Sequence, residues 1–382
     1  MSLYISDLER SLLQFRKHEE LKYLMLSRTQ KFFLGIAFFL LLPFSIFGIF
    51  KKNQHNNANT IFVVDYGKSE PFNSIYNAIK SLKGFKFIKI SRSYFPILPY
   101  IFLKDIFFII KKKPLYLLSN LDFFGALSLK LLQYYSVIQR NDIQYLILFQ
   151  EYSFYSSYLT RVMESQEGKL FNIQHGIPGK TYAYFRFSKM FIWGEYFQEQ
   201  YIKNGADRNQ FEIIGSMVHT LRRRKSLSMN VEDIDILFIM QGEQRELSDI
   251  LEVLEVLSDR YNIQYIQHPR HPVKLNTSLR ECRLSLWEAL AKSKKVLSHY
   301  STVLFDASWL GKESIAYLSI EQEEYVSYLP KKNIIHNKKD LMVALTQTSL
   351  NAEKLSTYYI IEQENPVLSM KKEIEKCLKH TT

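Results

Sequence analysis

Short, continuously apolar runs alternate with helical patterns along most of this chain, and this alternation constrains the fold more than any other feature. Strands that are apolar on both faces and separated by helices are typical of a parallel sheet covered by helices on both sides. The fold class predicted from this rhythm is therefore α/β. In the first half, the predicted strands lie at residues 60–67, 85–91, 114–120, 143–150, 169–176, 190–194 and 211–216.

The rhythm is interrupted at residues 217–232 and then begins again. A chain of 382 residues is too long for one ordinary core and suits two domains. We predict Rossmann-like domains at 59–216 and 233–382, a linker at 217–232 and a separate N-terminal segment at 1–58. Two such domains facing a cleft form the GT-B architecture, in which ligands bind at the carboxyl ends of strands. In the second domain, the predicted strands are 233–242, 262–272, 294–302, 313–319 and 333–337, before a helical tail at 338–380.

The N-terminal segment contains an uncharged apolar run, FFLGIAFFLLLPFSIFGIF, at residues 32–50. Lysines close it at both ends, and its length is near the roughly 20 residues of a membrane-spanning helix. The polar stretch that precedes it argues against a secretory signal. We predict a membrane-associated apolar helix here, with a buried core helix as the alternative. Pro43 permits a kink, so the pattern leaves open whether the segment spans the membrane or only dips into it.

Charge and cysteine content limit the classes of partner that the chain can bind and the compartment in which it works. The formal net charge is +12, with basic clusters at 51–54, 111–113, 222–225 and 294–295. Such clusters fit an anionic membrane surface or a phosphate-bearing substrate. No zinc knuckle, RNP-like strand or helix-turn-helix pattern accompanies them, so nucleic acid is not a predicted partner. The two cysteines are far apart and lack metal-ligand spacing, which indicates a reducing compartment.

In the first half, the sequence FNIQHGIPGK at 171–180 delivers His175 into a loop directly after a predicted strand. Gly176 lets the backbone turn there, and Lys180 brings a positive charge. A neutral imidazole at this place could remove the proton of an acceptor hydroxyl, because its unperturbed pKa is near physiological pH. Glu151, at the end of the preceding strand, is an alternative general base. A turn in which the histidine has no chemical role is the simpler interpretation of the same pattern.

In the second half, polar residues follow three predicted strands. His268 and Arg270 lie in QHPRHP, and both side chains suit a phosphate group. Ser301 and Thr302 precede a helix, whose N-terminus can bind an anion, although the pair is also an ordinary helix cap. Gly242 lets the backbone approach a diphosphate closely. No carboxylate or thiolate accompanies the histidines, so we predict no metal site and no other cofactor.

The order of these motifs resembles that of a known group of enzymes. HGIPGK at 175–180 and SHYSTVLFDASWLGKESIAY at 298–317 are similar to motifs of CDP-glycerol glycerophosphotransferases, the teichoic-acid polymerases, which have the GT-B fold. The His-Pro and Ser-Thr pairs also resemble those of bacterial sialyltransferases and Kdo transferases, which use CMP-sugars. The resemblance covers roughly residues 140–330. It implies that His175 is the base and that the Ser-Thr turn holds the donor phosphates.

These patterns together predict a metal-independent, nucleotide-sugar-dependent glycosyltransferase that builds a capsule, an O-antigen or a similar surface glycan. The donor would bind in the domain at 233–382, with a CMP-sugar as one candidate, and the lipid-linked or glycan acceptor in the domain at 59–216. The predicted location is the cytoplasmic face of the bacterial inner membrane. The alternatives are glycerophosphate transfer from CDP-glycerol, a non-catalytic subunit of a polysaccharide assembly complex, and a nucleotide-sugar epimerase.

Overall fold

The structure is a computed structural model, and the chain divides into two compact units. The first unit comprises Met1–Ser216 together with Asn365–Thr382, and the second comprises Met217–Glu364. The residues that the structure describes are 6–20, 26–41, 60–65, 70–80, 82–90, 98–149, 153–174, 176–177, 185–217, 219–220, 233–241, 246–268, 271–299, 301–347, 358–360 and 365–379.

The described strands of the first unit form a parallel six-stranded sheet in the order β2-β1-β3-β4-β5-β6. Every residue of β3 is buried, as expected for a strand with helices on both faces. The bounds are β1 Ile61–Asp65, β2 Phe85–Lys89, β3 Tyr145–Leu148, β4 Lys169–Ile173, β5 Lys189–Ile192 and β6 Phe211–Ile213.

The described strands of the second unit form another parallel six-stranded sheet, in the order β12-β11-β10-β7-β8-β9. The α/β class with two parallel sheets is thus confirmed. The bounds are β7 Ile234–Ile239, β8 Ile263–Ile266, β9 Arg280–Glu281, β10 Ser293–Ser298, β11 Glu313–Tyr317 and β12 Ile334–Ile335.

Helices flank both sheets. In the second unit, apolar side chains of two helices, residues 247–257 and 338–346, pack with strand residues such as Ile236, Phe238 and Leu297 into one core. The bounds of these helices are α1 Asp7–Glu20, α2 Arg28–Leu41, α3 Glu70–Lys80, α4 Tyr100–Lys112, α5 Pro114–Ser119, α6 Leu121–Asn141, α7 Ser156–Glu164, α8 Glu195–Lys203, α9 Leu247–Leu257, α10 Leu286–Lys292, α11 Thr302–Trp309, α12 Lys338–Thr346 and α13 Pro366–Lys379.

The strand predicted at 114–120 is wrong, because this run is the short helix α5. Pro114 occupies the first turn of the helix, where its missing N–H costs nothing and its fixed φ favours the helix. A short apolar run does not reveal its period, so the sequence did not separate the two structures. Strand β9 was not predicted, because its two residues, Arg280 and Glu281, are exposed and give no apolar signal.

The domain boundaries differ from the prediction at both ends of the chain. Helix α13 belongs to the first unit, although 233–382 was predicted to be one domain. Met370 and Ile374 on one face of α13 are buried, and Lys169 Nζ donates a hydrogen bond to the carbonyl oxygen of Cys377, 3.0 Å away. The N-terminal helices also belong to this unit. Arg16 of α1 makes a bidentate contact with Asp122 of α6, with both N–O distances at 2.8 Å.

Helix α2 covers the first part of the apolar run at 32–50, and residues 42–50 lie outside the described part of the chain. The helix packs along α6 at very close range, since a Cβ placed on Gly125 would lie 1.8 Å from the carbonyl oxygen of Leu34. Within the described residues, no helix has both the length and the apolar character required to cross a bilayer.

Candidate active site

In the first unit, the loop after β4 is held by the side chain of Gln174, which is buried. Its Nε2 donates to the carbonyl oxygen of Gly176 at 2.9 Å, and its Oε1 accepts from the backbone N–H of Trp193 at 3.0 Å. The indole Nε1 of Trp193 donates in turn to the carbonyl oxygen of Gln174, 3.2 Å away. Two of these hydrogen bonds therefore join the carboxyl ends of β4 and β5, and the third holds the loop after β4.

Three of the four predicted site residues of this unit are not placed by the structure. His175, Lys180 and Glu151 lie outside the described residues. Gly176 is described, and it contributes the carbonyl group that Gln174 binds. The role of His175 as a base therefore remains a prediction, supported by the fixed backbone on either side of it.

In the second unit, three predicted motifs follow adjacent strands. Strand β7 lies between β8 and β10, and all three run parallel, so their carboxyl ends share one edge of the sheet. Neighbouring strands are about 5 Å apart, which puts the ends of β8 and β10 about 10 Å from each other. Gly242 after β7 and Arg270 after β8 lie outside the described residues.

His268 lies two residues after the end of β8 and is half-buried. Its ring stacks on that of His271, with the centroids 4.9 Å apart and the planes 24° apart. The backbone N–H of His271 donates to the carbonyl oxygen of His268 at 3.1 Å. The side chain of Gln267 accepts the backbone N–H of Val273 at 2.9 Å. Just beyond the end of β8, His268 thus contacts His271 through both its ring and its backbone.

Ser301 is the N-cap of α11, as the simpler interpretation of the motif predicts. Its Oγ accepts the backbone N–H of Val303 at 3.2 Å, and its side chain is buried. A hydroxyl that accepts one hydrogen bond still carries a proton to donate, so capping does not remove Ser301 as a ligand. Thr302, the first residue of α11, is exposed. The positive end of the helix dipole is therefore accompanied by two hydroxyl groups.

His299 is a candidate that the motif reading overlooked. It follows β10 directly and is only 1% exposed, and neither of its ring nitrogens has a hydrogen-bond partner among the described residues. Burial lowers the pKa of His299 to about 4, so the ring is neutral at physiological pH. A buried imidazole without partners costs free energy that a bound ligand would recover. Its position directly after an apolar strand was the available sequence signal.

Asp306, in the second turn of α11, binds another buried histidine. Its Oδ1 lies 2.7 Å from Nε2 of His219, whose ring is packed edge-on against Trp309 and Phe305, with centroids 5.0 and 5.8 Å away. This contact ties the residues just after the unit boundary to the helix that carries Ser301 and Thr302. The carboxylate of Asp306 thus has a hydrogen-bond partner, His219, within the second unit.

Solved structures of known proteins include several whose fold is similar to that of this chain. Neither a protein-family model nor the sequence of a curated protein matches the chain. Among solved structures, UDP-GlcNAc 2-epimerase from Methanocaldococcus jannaschii is similar at 11% identity and a TM-score of 0.52, covering 83% of this chain and 99% of its own. The enzyme from Neisseria meningitidis bound to UDP-GlcNAc is similar at 12% identity and a TM-score of 0.50, with the same coverages.

The wall teichoic acid polymerase TagF also matches, at 12% identity and a TM-score of 0.49, covering 93% of this chain and 99% of its own. At these identities the likeness concerns the fold alone. The chain has the fold of GT-B enzymes, with one Rossmann-like sheet in each of its two units.

Proposed function

We propose that this protein is a glycosyltransferase that moves a sugar from a nucleotide-activated donor to the precursor of a bacterial surface glycan. The observation that carries the proposal is the carboxyl edge of the second sheet, where His268, His299 and the N-terminus of α11 follow parallel strands β8 and β10. In doubly wound folds, ligands bind at such an edge. The epimerases that share the fold are named for a nucleotide-sugar substrate, which supports the same class of donor here.

The donor phosphates would be held by fixed positive and hydrogen-bonding groups. The N-terminus of α11 provides the positive end of a dipole, and the hydroxyls of Ser301 and Thr302 can donate to phosphate oxygens. Arg270 and His268 would add a guanidinium and an imidazole from the loop after β8. Each pre-placed donor that meets the charge growing on the leaving phosphate is worth about 3 kcal/mol.

The reaction is a direct displacement. His175 removes the proton of the acceptor hydroxyl, and the acceptor oxygen forms a bond to the anomeric carbon of the donor. The bond between that carbon and the phosphate oxygen breaks, and its electron pair leaves on the nucleotide. Glu151 is the alternative base for the same step. Gln174 is a positioning residue, because its hydrogen bonds to Gly176 and Trp193 fix the backbone on both sides of His175.

We assign His299 to the nucleotide. Its neutral ring can donate one hydrogen bond and accept another, which suits a sugar hydroxyl or a carbonyl group of the base. It precedes the capping residue Ser301 by two positions. A nucleotide bound at α11 would therefore pass close to the ring, and it would provide the partners that the described residues do not.

The test is to incubate the purified protein with CMP-, CDP- and UDP-activated donors, with and without a glycan acceptor, and to measure nucleotide release. Acceptor-dependent release from a nucleotide sugar supports the proposal. Release from CDP-glycerol alone would instead indicate glycerophosphate transfer. If no donor raises the unfolding temperature and none is consumed, the protein is not an enzyme of this kind.

Epimerisation of a nucleotide sugar is the second candidate, because the solved structures similar to this chain at a TM-score of 0.50 or more include epimerases. The same incubation separates the two functions. An epimerase converts one nucleotide sugar into another without any acceptor and with no net release of nucleotide. Separation of the nucleotide sugars before and after incubation shows directly which of the two outcomes occurs.

The proposed setting is the cytoplasmic face of the inner membrane, where lipid-linked acceptors are assembled. The basic character of the chain, with a formal net charge of +12, supports contact with an anionic leaflet. Fractionation of cells into membrane and soluble pools tests the location. A protein found wholly in the soluble pool at low salt would contradict it.

A further inference from the structure

Helix α4 is apolar on two opposite faces, and only one of them is buried within the first unit. Phe102, Ile106 and Ile109 are buried, whereas Phe107 and Phe108 are each 62% exposed. Tyr100, Lys104, Phe107, Phe108 and Lys111 are spaced so that they form one exposed stripe along the helix. Contiguous exposed apolar surface of this kind marks a site of interaction rather than a requirement of folding.

Helix α5 continues this surface. Leu115 is 77% exposed, and Leu118 is also exposed. The exposed lysines Lys111, Lys112 and Lys113 stand between the apolar stripes of α4 and α5. Aromatic and aliphatic side chains bordered by lysines are typical of helices that lie in the interface of a bilayer.

The only acidic residue between positions 100 and 119 is turned away from this surface. Asp105 binds Arg161 at 2.9 Å and accepts a hydrogen bond from the hydroxyl of Tyr158 at 2.7 Å. The outward charge of α4 and α5 is therefore positive throughout. By contrast, the lysines of the cluster at 294–295 are engaged within the second unit, where Lys294 binds Asp235 at 2.7 Å and Lys295 binds Glu313 at 3.3 Å.

Helix α2 adds a second apolar stripe in the same part of the first unit. Its buried Phe38 packs against Phe124 of α6, with ring centroids 5.8 Å apart. Tyr116 of α5 packs against the same phenylalanine at 6.3 Å. From residue 32 onward, the exposed residues of α2 are all apolar: Phe32, Phe33, Ile36, Phe39 and Leu40.

We propose that α2, α4 and α5 form a membrane-contact surface that inserts into the interfacial region of an anionic phospholipid bilayer. Helix α4 has 13 residues and is about 20 Å long, short of the roughly 30 Å of a hydrocarbon core. It therefore lies along the interface, with its phenylalanines among the acyl chains and its lysines at the phosphate groups. This attachment depends on neither the donor nor the group transferred.

A second copy of the chain is a poorer occupant of this surface. A symmetric dimer would place each patch against its own equivalent. Lys104 and Lys111–Lys113 would then face the same lysines without an outward carboxylate on α4 or α5 to pair with them. Like charges brought together in this way oppose association, whereas an anionic lipid headgroup complements them.

The experiment is flotation of the full chain with vesicles of phosphatidylcholine alone or containing phosphatidylglycerol, in the absence of nucleotide. We expect the protein to float with the anionic vesicles. Because each exposed phenylalanine loses its burial in lipid, F107S/F108S should weaken binding at least ~10-fold. The variant should keep its unfolding temperature, since both side chains are exposed in the folded protein.

The lysines are tested separately by K111S/K112S/K113S. At about 1 kcal/mol for each lysine near an anionic surface, binding should fall about 100-fold. The remaining binding of this variant should depend less on salt than that of the wild-type protein. Binding of the wild-type protein to phosphatidylcholine vesicles should be weak.

Two matched controls come from the second unit. V256S/I320S removes apolar side chains that are 63% and 74% exposed, and K331S/K332S removes two exposed lysines. Both controls should float like the wild-type protein. The proposal is overturned if F107S/F108S also floats unchanged, or if that variant instead converts a stable dimer into a monomer. Nucleotide release with a soluble acceptor, measured on the same variants, shows separately whether the proposed transferase activity is correct.

Discussion

The two units contain the same kind of parallel six-stranded sheet, but their outer helices carry different surfaces. In the second unit, an outward lysine of α12, Lys338, pairs with Asp249 of α9 at 3.3 Å. In the first unit, the outward positions of α4 include Phe107 and Phe108. A helix that packs against the rest of a domain needs only one apolar face. Folding therefore does not account for the second apolar face of α4, and the membrane contact proposed for the first unit would.

The strand ends differ as well. In the first unit, Gln174 ties neighbouring loops together through backbone contacts, which favours a fixed position for a reacting group. In the second unit, a capped helix N-terminus and a buried imidazole with no hydrogen-bond partner among the described residues favour the binding of a nucleotide. If this division is correct, variants in the two units should separate catalysis from donor binding.

His175→Ala should reduce the rate of transfer by about 10²- to 10⁴-fold, the usual contribution of a general base. The rise in unfolding temperature caused by the nucleotide should persist, because the nucleotide is assigned to the second unit. Steady-state kinetics and thermal unfolding of the same preparation measure both quantities. Glu151→Gln is the matched control, and a larger loss in that variant would transfer the role of base to Glu151.

His299→Leu should reduce the dependence of stability on pH. The pKa of His299 is lowered to about 4 in the folded chain, against about 6.5 when unfolded. Above pH 6.5 the ring is neutral in both the folded and the unfolded chain, and stability is at its full value. As the pH falls from 6.5 towards 4, the unfolded chain binds a proton that the folded chain does not, so the free energy of unfolding decreases. The loss at pH 4 is about 3 kcal/mol.

Urea unfolding at pH 7 and pH 4 measures this difference. The wild-type protein should lose more unfolding free energy between the two pH values than His299→Leu does. The variant should also bind nucleotide more weakly, as measured by calorimetry at pH 7. Equal pH dependence in both proteins would show that burial does not hold the ring neutral. Unchanged nucleotide affinity would remove His299 from the proposed site.

Gly125→Ala should destabilise the first unit by about 1–3 kcal/mol, the usual cost of overpacking. The added methyl group would collide with the backbone of Leu34, which cannot move without shifting α2. Gly35→Ala is the matched control, because a Cβ there meets Leu121 at an ordinary 3.4 Å and alanine favours a helix. Chemical denaturation compares the two variants, and equal stabilities would contradict the close helix contact.

Ser301→Ala should have the smallest effect on folding, about 1 kcal/mol for a lost helix cap. It should lower nucleotide affinity as well, because the hydroxyl proton is lost together with the capping oxygen. Ser285→Ala removes a cap of the same kind from α10, where the serine and Glu288 form a capping box. If both variants bind nucleotide equally well, Ser301 is only a cap.

The sequence predicted the parts of the fold in which apolar patterning is unambiguous. Continuously apolar runs such as 143–150 became central parallel strands, as expected for strands that are covered on both faces. The helix at Pro114–Ser119 was not predicted, because six residues are too few to show a period. The position of α13 was not predictable either, since amphipathicity shows that a helix buries one face without showing on which unit.

The site was predictable to a similar degree. Strand-end motifs drew attention to His268 and Ser301, and parallel pairing placed the ends of β8 and β10 on one sheet edge. His299 was recognised as a candidate ligand from its burial and from the absence of hydrogen-bond partners among the described residues. A sequence shows neither property. The exposed stripe of α4 was hidden for the same reason. A helix that is apolar on all sides does not reveal which of its faces remains in contact with solvent.

Because Asn365–Thr382 rejoins the unit that contains Ser216, the second unit is in genetic terms an insertion within the first. It can be excised as one continuous piece of the gene, from codon 217 to codon 364. The first unit can be produced alone only by splicing residue 216 to residue 365. A protein that ends at residue 216 would expose the apolar surface that Met370 and Ile374 cover, and we expect it to aggregate.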